Sequence, residues 1–157
     1  VGALGIPLPP EAEAALTPLT RWLREAGRTS TALEYAQALA AIQLLTQQVA
    51  EVWDGYDVVL TPTLAQPPAP LGSLRDDADP AGDFAAQTRF TPWTSIYNLT
   101  GRPAISLPLH TARPDGPGSP ALPIGVMLGG RFGAEDTLLG LATALEATAP
   151  WGRPDLG

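Results

Sequence analysis

The sequence predicts an α/β layered fold, and three observations carry that prediction. Helix-start signals in the first third open stretches whose apolar residues recur at three- and four-residue steps. Short apolar, β-branched runs follow without polar alternation, the pattern of strands covered on both faces. A glycine-led turn then feeds a last helix with an apolar stripe. The order of helices and strands places helices on both sides of a sheet.

Pro10 to Ala26 reads as the first helix, with Pro10 near its start, Glu11 and Glu13 at its positive end and Gly27 as a stop. The second opens on Thr31 and Glu34, a T-x-x-E capping box. Leu33, Ala36, Leu39 or Ala40, Ile42, Val49 and Val52 then recur up to Trp53, while Gln37, Gln43, Gln47, Gln48 and Glu51 take other positions, so this helix is expected to lie on a core. Asp54-Gly55 turns the chain into a strand over 56–60 that ends at Thr61-Pro62-Thr63. Leu64 to about Ala86 reads as loop, rich in Pro, Gly and Asp. Thr91 to Leu99 reads as a short helix, with Thr91 as N-cap, Pro92 at the first helical position and Gly101 closing it. Two strands are expected at 103–107 and 123–128, separated by a Pro/Gly-rich loop. The last helix carries Glu135 and Asp136 in its first turn, buries Leu138, Leu139, Leu141, Ala142 and Leu145, and ends at Pro150-Trp151. Residues 1–54 are thus helical and 55–157 form sheet plus terminal helix, all in a single segment. Three strands alone leave apolar edges unpaired, so the sheet is expected to need more strands than this chain supplies.

Composition excludes several classes of function. A net charge of −7, with nine arginines scattered singly and no lysine, provides no basic stripe for nucleic acid or for an anionic membrane surface. Without cysteine, and with His110 as the sole histidine, the usual zinc and iron–sulfur ligand sets cannot be assembled. A carboxylate-only Mg²⁺ or Ca²⁺ site stays formally open, but the acidic loop with Asp76, Asp77, Asp79 and Asp83 reads as a solvated excursion, so no metal and no cofactor is expected. Absence of cysteine fits a reducing compartment, and no apolar run reaches the roughly 18 residues that span a bilayer; the expectation is a soluble, cytoplasmic protein. The chain starts at Val1 with neither a basic n-region nor a long apolar run behind it, which suggests a fragment.

A search for catalytic groups returns little. None of the five serines, Ser30, Ser73, Ser95, Ser106 and Ser119, sits in a G-x-S-x-G elbow. Ser106, His110 and Asp115 can be written as a triad, but a serine inside a strand and a histidine beyond Pro108 are badly placed to share a proton. Gly129 to Gly133 has the strand–glycine–helix layout of a phosphate loop. It lacks the G-x-G-x-x-G and G-K-[ST] patterns, and Glu135 and Asp136 would repel a phosphate. The four tryptophans are too far apart in sequence to form a stacking platform, so most are expected to anchor core, with Trp93 a candidate pocket wall.

Four ordered strings are more specific than any periodicity. They are Tyr56-Asp-Val-Val-Leu-Thr-Pro-Thr63, Asn98-Leu-Thr-Gly-Arg-Pro-Ala-Ile-Ser-Leu-Pro108, Leu122-Pro-Ile-Gly-Val-Met-Leu-Gly-Gly-Arg-Phe-Gly-Ala-Glu-Asp136, and an Ala-Leu-Glu…Pro-Trp151 ending. Over residues 56 to 151 the chain resembles the C-terminal part of the amidase signature family. The resemblance implies part of an α/β/α fold around a mixed β-sheet, and hydrolysis of a carboxylic amide C–N bond. The family's chemistry uses a nucleophilic serine, a second serine in a cis peptide arrangement, a lysine acting as neutral base through that serine, and an oxyanion hole of backbone N–H groups in a glycine- and serine-rich loop. All lie N-terminal to the matched region, so no catalytic residue is expected here.

What the resemblance implies for this chain is substrate-pocket wall: Pro62, Thr63, Leu64, Thr91, Trp93, Thr94 and Asn98. For Asn98, a bond from its side chain to nearby backbone is an equal expectation. Relatives that use glutamine for transamidation carry an aspartate seven residues before that asparagine. Thr91 stands there instead, which favours an apolar or aryl amide. The expected partners are a small-molecule amide in the intact enzyme, and either a second copy or the missing N-terminal part. The alternative is a non-catalytic module that associates through an open sheet edge.

Overall fold

The computed structural model describes residues 7–148 and 150–151; Val1 lies outside them. Its described elements are α1 (Pro10–Ala14), α2 (Pro18–Thr29), α3 (Ala32–Trp53), β1 (Val58–Pro62), α4 (Pro80–Phe90), α5 (Ser95–Thr100), β2 (Ala104–Ala112), β3 (Leu122–Gly130) and α6 (Glu135–Thr148). The α/β class holds. Two compact units form: one of α1, α2, the start of α3 and α4, the other of the end of α3, the three strands, α5 and α6.

In the helical unit, the helix expected over Pro10 to Ala26 is divided in two. Pro18 lacks an N–H and forces extended backbone on Thr17, whose hydroxyl caps α2 by accepting from Thr20 N at 3.3 Å. Gly27 lies inside α2 and does not stop it. Glu13 of α1 reaches back to α2, where Arg24 donates from Nε and Nη2 at 3.3 and 3.0 Å and Arg28 adds a bond at 3.2 Å. Arg24 is 2% exposed, so its charge is matched inside the unit. Trp22 of α2 meets Phe84 of α4 with ring centroids 5.9 Å apart, although Trp22 remains partly exposed. The segment read as loop to Ala86 becomes helical at Pro80. Asp83 in its first turn is buried and accepts from Gln87 Nε2 and from Asp76 N. No cluster of acidic or imidazole groups fit for a metal occurs among the described residues.

The capping box of α3 forms as its residues require: Glu34 accepts from Thr31 N at 2.7 Å, and Thr31 Oγ1 accepts from Glu34 N at 3.2 Å. The expected core under this helix is smaller than its stripe. Val49 alone is buried in α3, while Leu33, Leu39, Leu44 and Val52 are exposed.

The second unit is built on a three-stranded antiparallel sheet ordered β1-β3-β2. Val58 pairs with Gly130 and Pro62 with Val126 on one side of β3; Ala104 pairs with Gly129 and Ala112 with Leu122 on the other. β2 runs past its expected end. A register shift between Leu107 and His110 absorbs Pro108, which cannot donate to the ladder but is tolerated on an edge strand. Leu128, Leu107, Leu138 and Ala142 form the buried core between sheet and α6, with Ile105, Leu109, Leu141 and Leu145 around it. Leu139, expected in that core, is exposed, as is Leu60 of β1, so neither strand coverage nor the helix stripe is as wide as the apolar runs suggest.

The opposite sheet face carries the end of α3 and α5. Tyr97 of α5 is buried, stands 5.8 Å from the Trp53 ring, and lies over Gly129, where an added Cβ would come within 2.3 Å of the Tyr97 ring and hydroxyl. At the end of α3, Arg102 donates to Asp54 Oδ1 at 2.6 Å and to Gly130 O at 3.4 Å, its side chain 4% exposed.

Two predictions test this account. Gly129→Ala should lower stability by about 1–3 kcal/mol through overpacking, read from urea denaturation, and combining it with Tyr97→Ala should cost less than the sum of the two single changes. The Glu13 carboxyl is held below its ordinary value of 4.5, chiefly by the hydrogen bond from Arg24 and despite partial desolvation. Its contribution is therefore complete above pH 4.5 and disappears as pH falls through the lowered folded value. In an acid titration followed by far-UV circular dichroism, Glu13→Gln should be less stable than the wild type near neutrality and converge with it at the acid end.

Candidate functional site

β3 is the middle strand, and on the face toward α5 it presents Gly125, Met127 and Gly129 at alternate positions. Two of the three have no side chain, so groups from the flanking strands and α5 can reach across it. Tyr97 does so over Gly129. Over Gly125, Thr63 and Ser106 meet, their hydroxyl oxygens 2.6 Å apart. A Cβ on Gly125 would fall 2.7 Å from Thr63 Oγ1 and 2.8 Å from Ser106 Oγ. Thr63 is held there by its own N–H, which donates to Gly125 O at 3.1 Å.

Between these two crossings Thr61 faces Tyr97. Both hydroxyls are shut away from solvent; Thr61 lies near enough to favour ionised Tyr97, yet neither oxygen closes a well-formed hydrogen bond. Burial dominates and pushes the Tyr97 phenol above its ordinary value of 10.

The expected pocket residues fall in two groups. Pro62, Thr63 and Leu64 follow one another at the end of β1: Pro62 is exposed on the edge strand, and Leu64 lines a hollow of ≈ 30 Å³ with Gln66, Pro68, Pro123, Ile124 and Gly125. Thr91, Trp93, Thr94 and Asn98 lead into α5. That helix begins at Ser95, later than expected, and Thr91 is not its N-cap; Thr94 takes that position in helical conformation without a side-chain bond to the helix N-terminus, and its hydroxyl turns back to Thr91 O at 3.3 Å. Gly101 closes α5 in the left-handed conformation, φ 70°. Trp93 is 40% exposed. The Asn98 side chain, expected as an equal alternative to bond local backbone, is exposed and makes no hydrogen bond among the described residues.

Sequence reasoning missed Thr61, Tyr97 and the meeting of Thr63 with Ser106. The available signal was the i, i+2 spacing of Thr61 and Thr63 on one strand opposite Gly125 and Gly129 on another. The register between strands was needed to read it.

The catalytic groupings written from the sequence do not form. Ser106 pairs in register with Met127 and His110 with Ile124, so serine and histidine stand three ladder positions apart along one strand, roughly 10 Å at ~3.3 Å per position. Of Gly129 to Gly133, the first two lie within β3, and Gly133 alone turns, with φ 77°. The turn into α6 is pinned instead by Arg131, which donates to Tyr56 O and Asp57 Oδ1 at 3.1 and 3.0 Å.

Residues 10–139 match the profile of the amidase family. The chain belongs to that family. It is 36% identical to the family member AmiC of Mycobacterium leprae (strain TN) over 124 residues, 77% of this chain and 24% of that protein. It is 39% identical to AmiA2 of Mycobacterium bovis over 105 residues, 67% of this chain and 20% of that protein. The solved structure of 6-aminohexanoate cyclic dimer hydrolase superposes with a TM-score of 0.74 at 26% identity, covering 97% of this chain and 32% of that one. The chain thus spans between a fifth and a quarter of the length of these curated relatives.

The buried phenol yields a pH prediction. In the unfolded chain Tyr97 loses its proton near pH 10, before the folded chain does, so the folded state binds more protons and stability falls as pH rises through 10. Alkaline denaturation should show this slope, and Tyr97→Phe should flatten it while changing stability at pH 7 by less than about 1 kcal/mol, since the hydroxyl it removes closes no well-formed bond.

Proposed function

We propose that this chain is the C-terminal part of an amidase that hydrolyses a carboxylic amide to a carboxylate and an amine or ammonia, and that it supplies pocket wall and packing surface, not the catalytic groups. The observation that carries this reading is the family match over residues 10–139 in a chain with no lysine. In the mechanism implied by the family resemblance, a lysine must accept the nucleophile's proton. The 157 residues hold no lysine to provide that base, and Ser106, whose hydroxyl meets that of the proposed pocket residue Thr63, has no hydrogen-bonded base among the described residues.

In this reading Pro62, Thr63 and Leu64 approach the acyl portion of the substrate from the end of β1, and Trp93, Thr94 and Asn98 approach it from the entry to α5, with Thr91 in place of the aspartate of glutamine-using relatives. The exposed, unpaired Asn98 amide supports a contact there, because a side chain satisfied by its own backbone has less to offer a ligand. The substrate class is a small amide with an apolar or aryl acyl group, and the compartment is the cytoplasm, in accord with the absence of cysteine. No described helix is long and apolar enough to cross a membrane.

The longer polypeptide that carries this chain should release ammonia from simple amides, and the 157-residue chain by itself should release none, as measured by a coupled ammonia assay. Amide hydrolysis by the isolated chain would overturn this reading. A defined, stable homo-oligomer of the isolated chain in light scattering, with an inactive longer polypeptide, would favour instead a binding module that pairs through the open outer edges of β1 and β2.

A further inference from the structure

Thr63 and Ser106 belong to segments that are not neighbours in the sheet: β3 lies between them, so their backbones are separated by two strand spacings, roughly 9.6 Å. Two of the shortest polar side chains span that gap because Gly125 presents nothing in between. As a structural tie this is poor value. The pair is exposed, and a neutral hydrogen bond in contact with water contributes little to stability. It also requires a glycine in the centre of the middle strand, where glycine is unfavourable.

As a recognition element the same arrangement makes sense. Within the pair one hydroxyl donates to the other, which leaves the second O–H free and polarised by the bond it accepts. Toward Gly129 the sheet face is covered by Tyr97; at Gly125 it carries the hydroxyl pair. Beside it lies a hollow of ≈ 30 Å³ that Leu64, Gln66, Pro68, Pro123 and Ile124 share with Gly125. A placed donor next to a mostly apolar surface can fix the orientation of one oxygen of a ligand that passes over it.

We propose that the Thr63–Ser106 hydroxyl pair over Gly125 is a specificity-determining contact that donates a hydrogen bond to an acceptor, a carbonyl or ether oxygen, borne on the acyl chain of the amide substrate. This rests on the amidase reading above and goes beyond it, since it adds Ser106 to the site and a polar group to the substrate. The pair takes no part in proton transfer to the scissile amide.

The test uses the full-length polypeptide that carries this chain, with linear alkanamides and a matched series in which one methylene at successive positions is replaced by a ketone carbonyl. At least one ketone position should be cleaved about tenfold better, in kcat/KM, than the alkanamide of equal length. That preference should vanish in Thr63→Val and Ser106→Ala and persist in Thr63→Ser, which keeps the hydroxyl. Valine matches threonine in shape, so the valine and serine variants decide the matter even if Ser106→Ala fails to fold. Cleavage of alkanamides without preference for any ketone position, or a preference that survives Thr63→Val, overturns the proposal while leaving the amidase reading intact. Failure of the wild-type polypeptide to cleave any amide overturns the amidase reading and, with it, this one.

Discussion

The constraint on which the sheet unit depends is the bareness of its middle strand. β3 is paired on both sides, so its residues are approached from β1, from β2, from α6 on one face and from α5 on the other. Gly125, Gly129 and Gly130 make that possible. An added Cβ would strike the Thr63 and Ser106 hydroxyls at the first, the Tyr97 ring at the second, and press on Leu138 and Pro103 at 3.3–3.4 Å at the third. Glycine in a central strand weakens the strand itself, and the compensation is the close packing it admits. Buried Arg102 adds a second tie at the same end of the sheet, holding Gly130 O and Asp54 together.

Polar groups follow from the same geometry. The hydroxyls of Thr61, Thr63, Ser106 and Tyr97 gather on one face because strand periodicity puts Thr61 and Thr63 on the same side and the glycines leave room above β3. Among the described residues the two outer strands, by contrast, each keep an unpaired ladder edge, and α3 exposes Leu33, Leu39, Leu44 and Val52.

How far the fold could be read in advance depended on the range of the interactions involved. The capping box of α3, the glycine stop after Thr100 and the acidic first turn of α6 are local chemistry and formed where the residues said they would. Structure and expectation part where a proline divides a periodic stretch or a tertiary contact overrides the local pattern. Pro18 was a visible break that divided the first helix, whereas the start of α4 at Pro80 was hidden in an acidic stretch and is supported by the buried Asp83 and its bonds to Gln87 and Asp76. The apolar stripes of α3 and α6 were wider than the surfaces they cover, as exposed Val52 and Leu139 show.

The sequence by itself determined the α/β class, the family through four ordered strings, and the absence of lysine from these 157 residues, because composition and linear motifs need no partner to be read. Only the tertiary structure decided that Ser106 belongs with Thr63 and not with His110. The register of two strands against a third sets which side chains share a face, and no spacing along a single strand encodes a contact made across another.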